Sequence, residues 1–265
     1  MPDGGLREPV TDDAAVDEAR SAIADAEVVV AFTGAGVSTA SGIPSFRGEG
    51  GIWTTFDPED FRYERFVDDP AGFWELRAEL TRELALDEAE PNACHRALAE
   101  AYNRGELAAV VTQNIDGLHQ EAGVPEEDVV EIHGSTRRTR CVDCGGRAPI
   151  DQALARIDEG QLPPECPACG GVVKPDVVLF GEQLPAEAFQ RAQDLAREAD
   201  VMLVAGSSLT VWPAAGLPER TLASGGELVV VNTEATKADG RALAALRGRV
   251  ENLVPRLLAP SAGEP

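Results

Sequence analysis

Three features of the sequence predict an α/β fold. Short apolar runs alternate with helical patterns along the chain, a glycine-rich loop follows the first apolar run, and two Cys-x-x-Cys pairs interrupt the alternation. We therefore expect a Rossmann-like parallel sheet with helices on both faces, plus a smaller domain formed by two inserts. A chain of 265 residues is long enough to bury the core of such a domain.

The secondary-structure elements follow from hydrophobic spacing. Thr11 is expected to cap a first helix, in which Val16, Ala19 and Ile23 repeat at helical intervals. The apolar runs are expected to be strands covered on both faces: VVVAF, LAAVVTQN, DVVEIHG, DVVLFG, DVMLVAGSS and ELVVVNTE. Helical patterns lie between several of them: PNACHRALAEAYNRG, PAEAFQRAQDLAREA and PAAGLPERTLASGG. This alternation predicts parallel strands joined by right-handed crossovers.

Two stretches break the alternation. Residues 51–90 are rich in aromatic and charged side chains and contain a helical pattern, DPAGFWELRAELTREL. Residues 137–173 contain the cysteine pairs and several prolines. We expect residues 1–50, 91–136 and 174–265 to form the Rossmann-like domain, with the two inserts packed together as the small domain.

The charge balance is strongly acidic. The net charge is −23, from 46 acidic and 23 basic residues, and Lys174 and Lys237 are the only lysines. We interpret this excess as adaptation to the salt-rich cytoplasm of a halophilic archaeon, because an unscreened charge of this size repels itself. An ordinary acidic protein is the alternative. In either case the chain is a poor candidate for direct nucleic-acid binding, since phosphate contacts need a basic surface.

The sequence also bears on location. No apolar run reaches the length needed to span a bilayer. The first residues, MPDGGLREPVTDD, are polar and acidic, unlike a secretory signal. We therefore expect a cytoplasmic protein with no membrane attachment.

Four of the five cysteines form the two pairs, CVDCGG and CPACGG. Four thiolates in this pattern suit tetrahedral Zn²⁺, and Gly-Gly after each pair allows a tight turn that points backbone N–H groups at the sulfurs. Such a site has no open position, so we expect one structural Zn²⁺ per chain, stabilising an insert too small for its own core. A redox Cys-x-x-Cys is disfavoured because both pairs lie in glycine turns. The predicted ligands are Cys141, Cys144, Cys166 and Cys169.

The chain has three histidines, so candidates for a general base are few. For His95, inside a predicted helix, we expect a packed or capping role, and for His119 local hydrogen bonds on a short helical turn. His133 ends the apolar run VVEIHG, with Gly134 clearing space behind it. Ligands of open α/β sheets bind beyond the carboxyl ends of strands, so His133 is the candidate base. The remaining cysteine, Cys94, is expected to fill the core.

Several motifs occur together in one order: GAGVSTASGIPSFRG, TQNIDGLH, IHG, the cysteine pairs, KPDVVLFGE, GSSL and VNTE. In this order they resemble the sirtuins, the NAD-dependent protein lysine deacylases, from about residue 32 to residue 254. The resemblance implies a protein lysine deacetylase that consumes NAD, releases nicotinamide and O-acetyl-ADP-ribose, and acts on acetylated proteins or peptides. Arg77 and Leu80 stand where succinyl- or malonyl-preferring members carry a Tyr-x-x-Arg pair, so we expect neutral acyl groups, acetyl first.

The resemblance also implies roles for individual residues. His133 would be the general base, and Asn114 would contact the NAD ribose beside it. The other NAD-binding positions would be Gly34, Ala35, Gly36, Ser38, Phe46, Arg47, Gln113, Ile115, Asp116, Gly206, Ser207, Ser208, Asn232, Thr233, Glu234 and Val250. The substrate backbone would be added as a strand along Val178, Leu179, Phe180 and Gly181.

Other functions remain open at this stage. Protein mono-ADP-ribosyl transfer uses the same nicotinamide-expelling step, and the sequence does not exclude it. A non-catalytic NAD-sensing module is disfavoured by the presence of His133, Asn114 and Asp116 together. An ordinary dehydrogenase is disfavoured because Thr39 stands where the third glycine of the dinucleotide-binding pattern belongs.

Overall fold

A computed structural model describes residues 12–46, 50–83 and 88–260 of the chain. Within these ranges the strands are β1 (Val29–Thr33), β2 (Ala109–Thr112), β3 (Val129–Glu131), β4 (Gly134–Cys141), β5 (Arg147–Pro149), β6 (Val173–Val177), β7 (Val201–Ala205), β8 (Glu227–Asn232) and β9 (Ala244–Arg247). The helices are α1 (Asp13–Asp25), α2 (Tyr63–Asp68), α3 (Pro70–Glu83), α4 (Ala93–Asn103), α5 (Leu118–Glu121), α6 (Ile150–Asp158), α7 (Ala186–Glu198), α8 (Leu217–Ala223) and α9 (Val250–Leu257).

The core of the molecule is a six-stranded sheet in the order β3-β2-β1-β7-β8-β9. Every neighbouring pair is parallel, which confirms the fold class predicted from the alternation of apolar runs and helices. The strand order reverses between β1 and β7. At such a switch point the connections leave the two strands in opposite directions, so a crevice opens beyond their carboxyl ends.

Helices cover both faces of this sheet. Apolar side chains of α1, α4 and α9 form one buried cluster against β1, β7 and β8, and those of α7 and α8 form a second cluster on the opposite face. Asp12 caps α1 by accepting the Ala14 N–H at 3.1 Å, whereas the predicted cap, Thr11, lies outside the described residues. Cys94 is fully buried in the first cluster, as expected.

The cysteine-bearing insert forms a separate antiparallel sheet in the order β5-β4-β6. The prediction that DVVLFG is a strand of the parallel sheet was wrong. Only Asp176 and Val177 lie in a strand, β6, and that strand pairs with β4. Within this run Leu179 is buried against Phe66 and Phe73 of the 51–90 insert, and not against the main sheet, whereas Phe180 is exposed. Strand β9 was missed.

None of the helices within the described ranges has both the length and the apolar character needed to cross a bilayer.

A contact between glycines joins the loop after β1 to the end of β7. The Gly36 N–H donates to the Gly206 carbonyl at 2.9 Å, and the Gly34 N–H donates to the Ala205 carbonyl at 3.1 Å. Gly206 has φ +62°, and an added Cβ there would lie 2.5 Å from the backbone nitrogen of Val37. A side chain on either partner would therefore force the loop away from the sheet.

We predict that Gly206→Ala destabilises the protein by more than about 2 kcal/mol, because it adds a backbone clash to an unfavourable φ. Gly225→Ala is the matched control, since Gly225 has φ +95° and no described atom lies within 4 Å of its added Cβ. That variant should lose only about 1 kcal/mol. Urea unfolding of both measures the difference, and equal losses would contradict the close-contact explanation.

Candidate functional site

A cavity of about 1370 Å³ opens at the switch point of the sheet. Its lining combines residues that follow β1, β2, β7 and β8 with residues of the segment after β6. Of the predicted NAD and substrate positions, those that line it are Gly34, Ala35, Gly36, Phe46, Gln113, Asn114, Ile115, His133, Val178, Leu179, Phe180, Gly181, Gly206, Ser207, Ser208, Asn232, Thr233, Glu234 and Val250. The structure thus brings motifs from distant parts of the chain to one cavity, while Arg47 lies outside the described residues.

Two predicted residues, Ser38 and Asp116, are not among those that line the cavity; Ser38 is buried and Asp116 is half-buried. The Ser38 hydroxyl donates to Asp116 Oδ2 at 2.7 Å and accepts from Asn114 Nδ2 at 2.9 Å. The other Asp116 oxygen accepts the Leu118 N–H at 3.0 Å. Both carboxylate oxygens of Asp116 therefore accept hydrogen bonds from within the protein. Through Ser38, this carboxylate holds the Asn114 side chain in place.

Gln113, which follows β2, makes hydrogen bonds to residues at the ends of β1 and β7. Its Nε2 donates to the Ser207 hydroxyl at 2.8 Å and approaches the Thr33 carbonyl at 3.3 Å. Its backbone N–H also donates to Thr33 at 3.0 Å. The side chain is thus oriented by β1 and β7 before any ligand binds, which lowers the entropic cost of using it in recognition.

His133 has its proton placed by the backbone. Its Nδ1 is 2.9 Å from the carbonyl oxygen of Gln113, and a carbonyl can only accept, so Nδ1 carries the hydrogen. The other nitrogen, Nε2, is then an unprotonated acceptor on a residue that lines the cavity. Burial lowers the pKa of His133, against the opposing effect of the Gln113 hydrogen bond. The imidazole is therefore neutral near pH 7, which is the state that a general base requires.

The backbone around His133 is held by the small sheet. Gly134 has φ +79°, and an added Cβ would lie 1.9 Å from the Asp176 carbonyl oxygen, so glycine is required there as expected. Arg138 donates to Glu131 at 2.7 Å and lies 3.6 Å from Asp176. Because Glu131 ends β3 and Asp176 lies in β6, this arginine ties the two sheets together beside the candidate base.

Aromatic rings form one wall of the cavity. The Trp53 ring centroid lies 5.5 Å from that of Phe46, 5.4 Å from that of Phe61 and 5.8 Å from that of Phe180. Sequence reasoning identified Phe46 and Phe180 but missed Trp53 and Phe61. The available signal was the aromatic richness of the 51–90 insert, which does not by itself say which rings face a ligand.

The segment predicted to receive the substrate is pinned by its own hydrogen bonds. The Phe180 N–H donates to the Phe61 carbonyl at 3.0 Å, and the Phe180 carbonyl accepts the Tyr63 N–H at 3.0 Å. The Val178 N–H donates to the carbonyl of His133 at 2.9 Å. The segment that lines the cavity is therefore fixed to both the helical insert and the candidate base.

A buried ion pair, also missed from the sequence, fixes the same segment. Lys174 Nζ lies 2.9 Å from Glu182 Oε2 and donates to the Val177 carbonyl at 2.6 Å. Glu182 in turn accepts the Leu179 N–H at 2.9 Å. The lysine side chain is only 5% exposed, so its charge depends on these partners.

Arg77 does not line the cavity. Its Nη2 donates to the Thr136 carbonyl at 3.4 Å, and its guanidinium lies over the Trp74 ring at 5.6 Å. The side chain is therefore directed to the insert and its aromatic core.

The four paired cysteines form a compact cluster at the tip of the small sheet. Their sulfurs all lie within 4.8 Å of one another, and the closest distances are 3.5 Å and 3.8 Å. A tetrahedron with Zn–S bonds of about 2.3 Å has sulfur–sulfur edges of about 3.8 Å. The donor set and its spacing therefore fit Zn²⁺. Backbone N–H groups of Cys144 and Asp143 lower the pKa of Cys141 to about 7, as the glycine turns predict.

The insert around this cluster has little apolar core of its own. Its buried members are Trp74, Cys141, Ala153, Cys166 and Val173, so two metal ligands are part of the core itself. Trp74 also donates its indole N–H to the Val173 carbonyl at 3.0 Å. Metal binding and folding of this insert are therefore coupled.

Comparison with known proteins gives consistent matches over most of the chain. The Sir2 family model matches residues 34–213. An NAD-dependent protein deacetylase of Haloarcula marismortui is 50% identical over 245 residues, covering 92% of this chain and 93% of the relative. A Sir2 structure with a p53 peptide and NAD⁺ has a TM-score of 0.79 and 35% identity, covering 90% and 95% of the two chains. Another, with deacetylated p53 peptide and 3′-O-acetyl ADP-ribose, has a TM-score of 0.82 and 36% identity, covering 92% and 97%.

We predict that Cys166→Ser, or removal of zinc with a chelator, unfolds the insert and exposes Trp74, which shifts the tryptophan emission to longer wavelength. Elemental analysis should find one zinc per chain in the native protein. Cys94→Ala is the control, because Cys94 is buried in the main core and belongs to no cluster of sulfurs. It should retain the zinc, and active protein without zinc would contradict the proposed role of the metal.

Proposed function

This chain belongs to the Sir2 family, and we propose that His133 is the general base of its reaction. The protein is an NAD-dependent protein deacetylase, with NAD as a co-substrate and a four-cysteine site for structural zinc. The observation that supports His133 is its hydrogen bond to the Gln113 carbonyl, which leaves Nε2 unprotonated in the cavity. We infer that the acyl oxygen of the substrate displaces nicotinamide from C1′ of the ribose. Nε2 of His133 then takes a proton from a ribose hydroxyl, whose oxygen attacks the acyl carbon, and water releases free lysine and O-acetyl-ADP-ribose.

The glycine loop is proposed to bind the pyrophosphate of NAD. Gly34, Ala35 and Gly36 line the cavity with no bulky side chains, so backbone N–H groups of the loop can approach the phosphate oxygens. Asn114 and Gln113 are proposed to bind the nicotinamide ribose, because both amides are already oriented by internal hydrogen bonds. The adenosine half is assigned to the lining after β7 and β8: Gly206, Ser207, Ser208, Asn232, Thr233, Glu234 and Val250.

The structure sharpens the proposed role of Asp116 and Ser38. Because neither lines the cavity, we propose that they act by holding Asn114, instead of contacting the cofactor directly. Ile115, which does line the cavity, is then the better candidate for contact with the nicotinamide carboxamide. Arg47 is proposed from the resemblance alone, while Phe46 beside it lines the cavity.

The substrate is proposed to be an acetylated lysine in an extended peptide, as in the related enzyme with a p53 peptide. Phe180 uses both backbone groups within the protein, so we assign the backbone contacts with the peptide to the Val178 carbonyl and to Gly181. The acyl-lysine would then lie against Trp53, Phe61 and Phe180. A wall of uncharged rings, with Arg77 directed elsewhere, supports neutral acyl groups, acetyl first.

The two inserts are proposed to form one small domain that closes the cavity. Residues 51–90 and 137–173 meet where Trp74 of α3 packs into the cysteine-bearing core. This contact supports one small domain formed by the inserts, and we propose residues 1–50, 91–136 and 174–265 as the Rossmann-like NAD-binding domain. The small sheet extends a few residues past these boundaries, because β4 begins at Gly134 and β6 ends at Val177.

We propose a salt-rich cytoplasm as the working environment. A net charge of −23 supports this, as does a half-identical relative from Haloarcula marismortui. At about 1 M salt the Debye length is only about 3 Å, which removes most repulsion between exposed carboxylates.

We predict that His133→Ala lowers kcat/KM for an acetyl-lysine peptide about 100- to 10,000-fold, because the ribose hydroxyl loses its proton acceptor. NAD binding and the thermal unfolding midpoint should stay close to wild type. Mass analysis of wild-type products should find O-acetyl-ADP-ribose and free lysine. A target protein heavier by one ADP-ribose unit would instead show mono-ADP-ribosyl transfer.

The pH dependence of the wild type checks the same assignment. Because burial lowers the pKa of His133, the base stays neutral as the pH falls to 6.5. In the wild type, the fall of kcat/KM towards acid pH should therefore have its midpoint below pH 6.5. The residual activity of His133→Ala should not show this fall. Turnover by this variant at the wild-type rate would remove His133 as the base.

We predict that both activity and thermal stability rise between about 0.1 M and about 2 M KCl, because salt screens the repulsion between the excess carboxylates. NaCl at equal concentration should give a similar rise if screening is the cause. An activity optimum in dilute buffer would contradict the high-salt interpretation.

A further inference from the structure

Two histidines that the proposed reaction does not use lie together behind the NAD-binding loop. His95 is in the first turn of α4 and His119 is in α5, and their side chains are fully or almost fully buried. The two rings are arranged edge to face, with centroids 4.9 Å apart. His95 also has the capping role that its place in the sequence predicts.

The proton on each ring can be assigned from its neighbours. The Asn92 N–H donates to Nδ1 of His95 at 3.3 Å, so Nδ1 is an acceptor and the hydrogen of the neutral ring is on Nε2. In His119, Nε2 lies 2.9 Å from the hydroxyl oxygen of Thr33. That hydroxyl gives its own hydrogen to Thr112 at 2.8 Å, so His119 Nε2 must be the donor and its Nδ1 has none.

The remaining nitrogens are complementary. Among the described residues, His95 Nε2 and His119 Nδ1 have no hydrogen-bond partner although both are buried. His95 Nε2 is a donor, His119 Nδ1 is an acceptor, and the two rings are in contact. Because a buried polar group without a partner is strongly unfavourable, these two atoms are best satisfied by a shared partner.

We propose that one shared water accepts from His95 Nε2–H and donates to His119 Nδ1, and that the two neutral rings form a relay that positions the NAD-binding residues. The relay runs from Asn92 through His95, His119 and Thr33 to Thr112. Both histidines are positioning residues, since neither lines the cavity.

The two ends of the relay contact residues assigned to NAD binding, which gives the relay a positioning role. At one end, the Asn92 side chain donates to the Val37 carbonyl at 2.7 Å and to the Ser41 hydroxyl at 2.9 Å, within the loop assigned to the pyrophosphate. At the other end, the Thr112 hydroxyl accepts the Asn114 N–H at 3.0 Å. The relay thus links the phosphate loop to the ribose-binding amide from behind, and this function rests on the role proposed for Asn114.

Burial keeps both rings in the neutral state that the relay needs. It lowers the pKa of His95 to about 4, although the nearby Asp116 acts in the opposite direction. It also lowers the pKa of His119 well below its ordinary value. Protonating either ring would bring two N–H donors together within the relay, so the relay favours neutral rings.

Nitrogen-15 NMR of the histidine side chains tests the proton assignment without any turnover. The chain has three histidines, and His133→Ala removes one of them, which assigns its signals. We expect His95 and His119 to carry hydrogen on Nε2 and His133 to carry it on Nδ1. Hydrogen on Nδ1 of His119 would overturn the relay, whatever the outcome of the deacetylase assay.

Two substitutions of His95 separate the relay from simple helix capping. His95→Asn keeps an acceptor for the Asn92 N–H but is too short to reach His119, whereas His95→Gln can accept the same N–H, as Gln does at this position of a capping box, and also supplies a donor towards His119. We expect His95→Asn to weaken NAD binding about tenfold or more, and His95→Gln to stay within about threefold of wild type.

The dissociation constant for NAD is measured by calorimetry on each folded variant, with KM for the acetyl peptide as the second readout. The relay predicts a larger change for NAD than for the peptide, because its ends lie at the phosphate loop and at Asn114. The reverse order of the two variants, or equal NAD binding by both, would show that His95 only caps the helix. An absence of deacetylation in the wild type would instead refute the proposed function and leave the proton assignment standing.

Discussion

The site depends on a backbone contact between two glycines. Gly36 and Gly206 approach so closely that their backbones hydrogen-bond at 2.9 Å across the switch point of the sheet. This contact fixes how closely the loop after β1 approaches the end of β7, because any Cβ on either residue would meet backbone atoms. Gln113 can then reach Ser207 from the neighbouring strand, and the cavity acquires a polar floor at the place where β1 and β7 diverge.

The three histidines show how environment separates residues of the same type. His133 gives its Nδ1 hydrogen to a backbone carbonyl and leaves Nε2 for chemistry at the cavity surface. His95 and His119 are inferred to carry their hydrogen on Nε2. In His95 this is because Nδ1 accepts a backbone N–H, and in His119 because Nε2 faces a threonine hydroxyl that must accept. All three are kept neutral by burial. Hydrogen-bond partners alone therefore decide which nitrogen of each histidine carries the hydrogen.

Local motifs predicted the parallel sheet and the cysteine cluster, and the resemblance of those motifs to the sirtuins predicted many of the residues that line the cavity. Features that depend on tertiary partners were beyond the sequence. The first residues of DVVLFG pair with the small sheet and Leu179 packs against the 51–90 insert, and periodicity does not reveal such partners. Trp53 and Phe61 line the cavity only because the 51–90 insert folds back onto Phe180. Ser38 and Asp116 match the NAD-binding motifs, yet their hydrogen bonds turn inward and support Asn114.

The joint between the small sheet and the main sheet contains ion pairs whose carboxylates are buried. Screening weakens pairs between exposed side chains most, and such pairs contribute little even in dilute buffer. At this joint, however, Arg138 pairs with Glu131 and Asp176, whose side chains are only 6% and 8% exposed. Removing Arg138 would leave the buried carboxylate of Glu131 without its cationic partner, which is costly at any salt concentration, whereas Asp176 would keep Arg147 at 2.7 Å. An acidic surface can therefore respond to salt while the backbone around His133 stays fixed by sheltered charges.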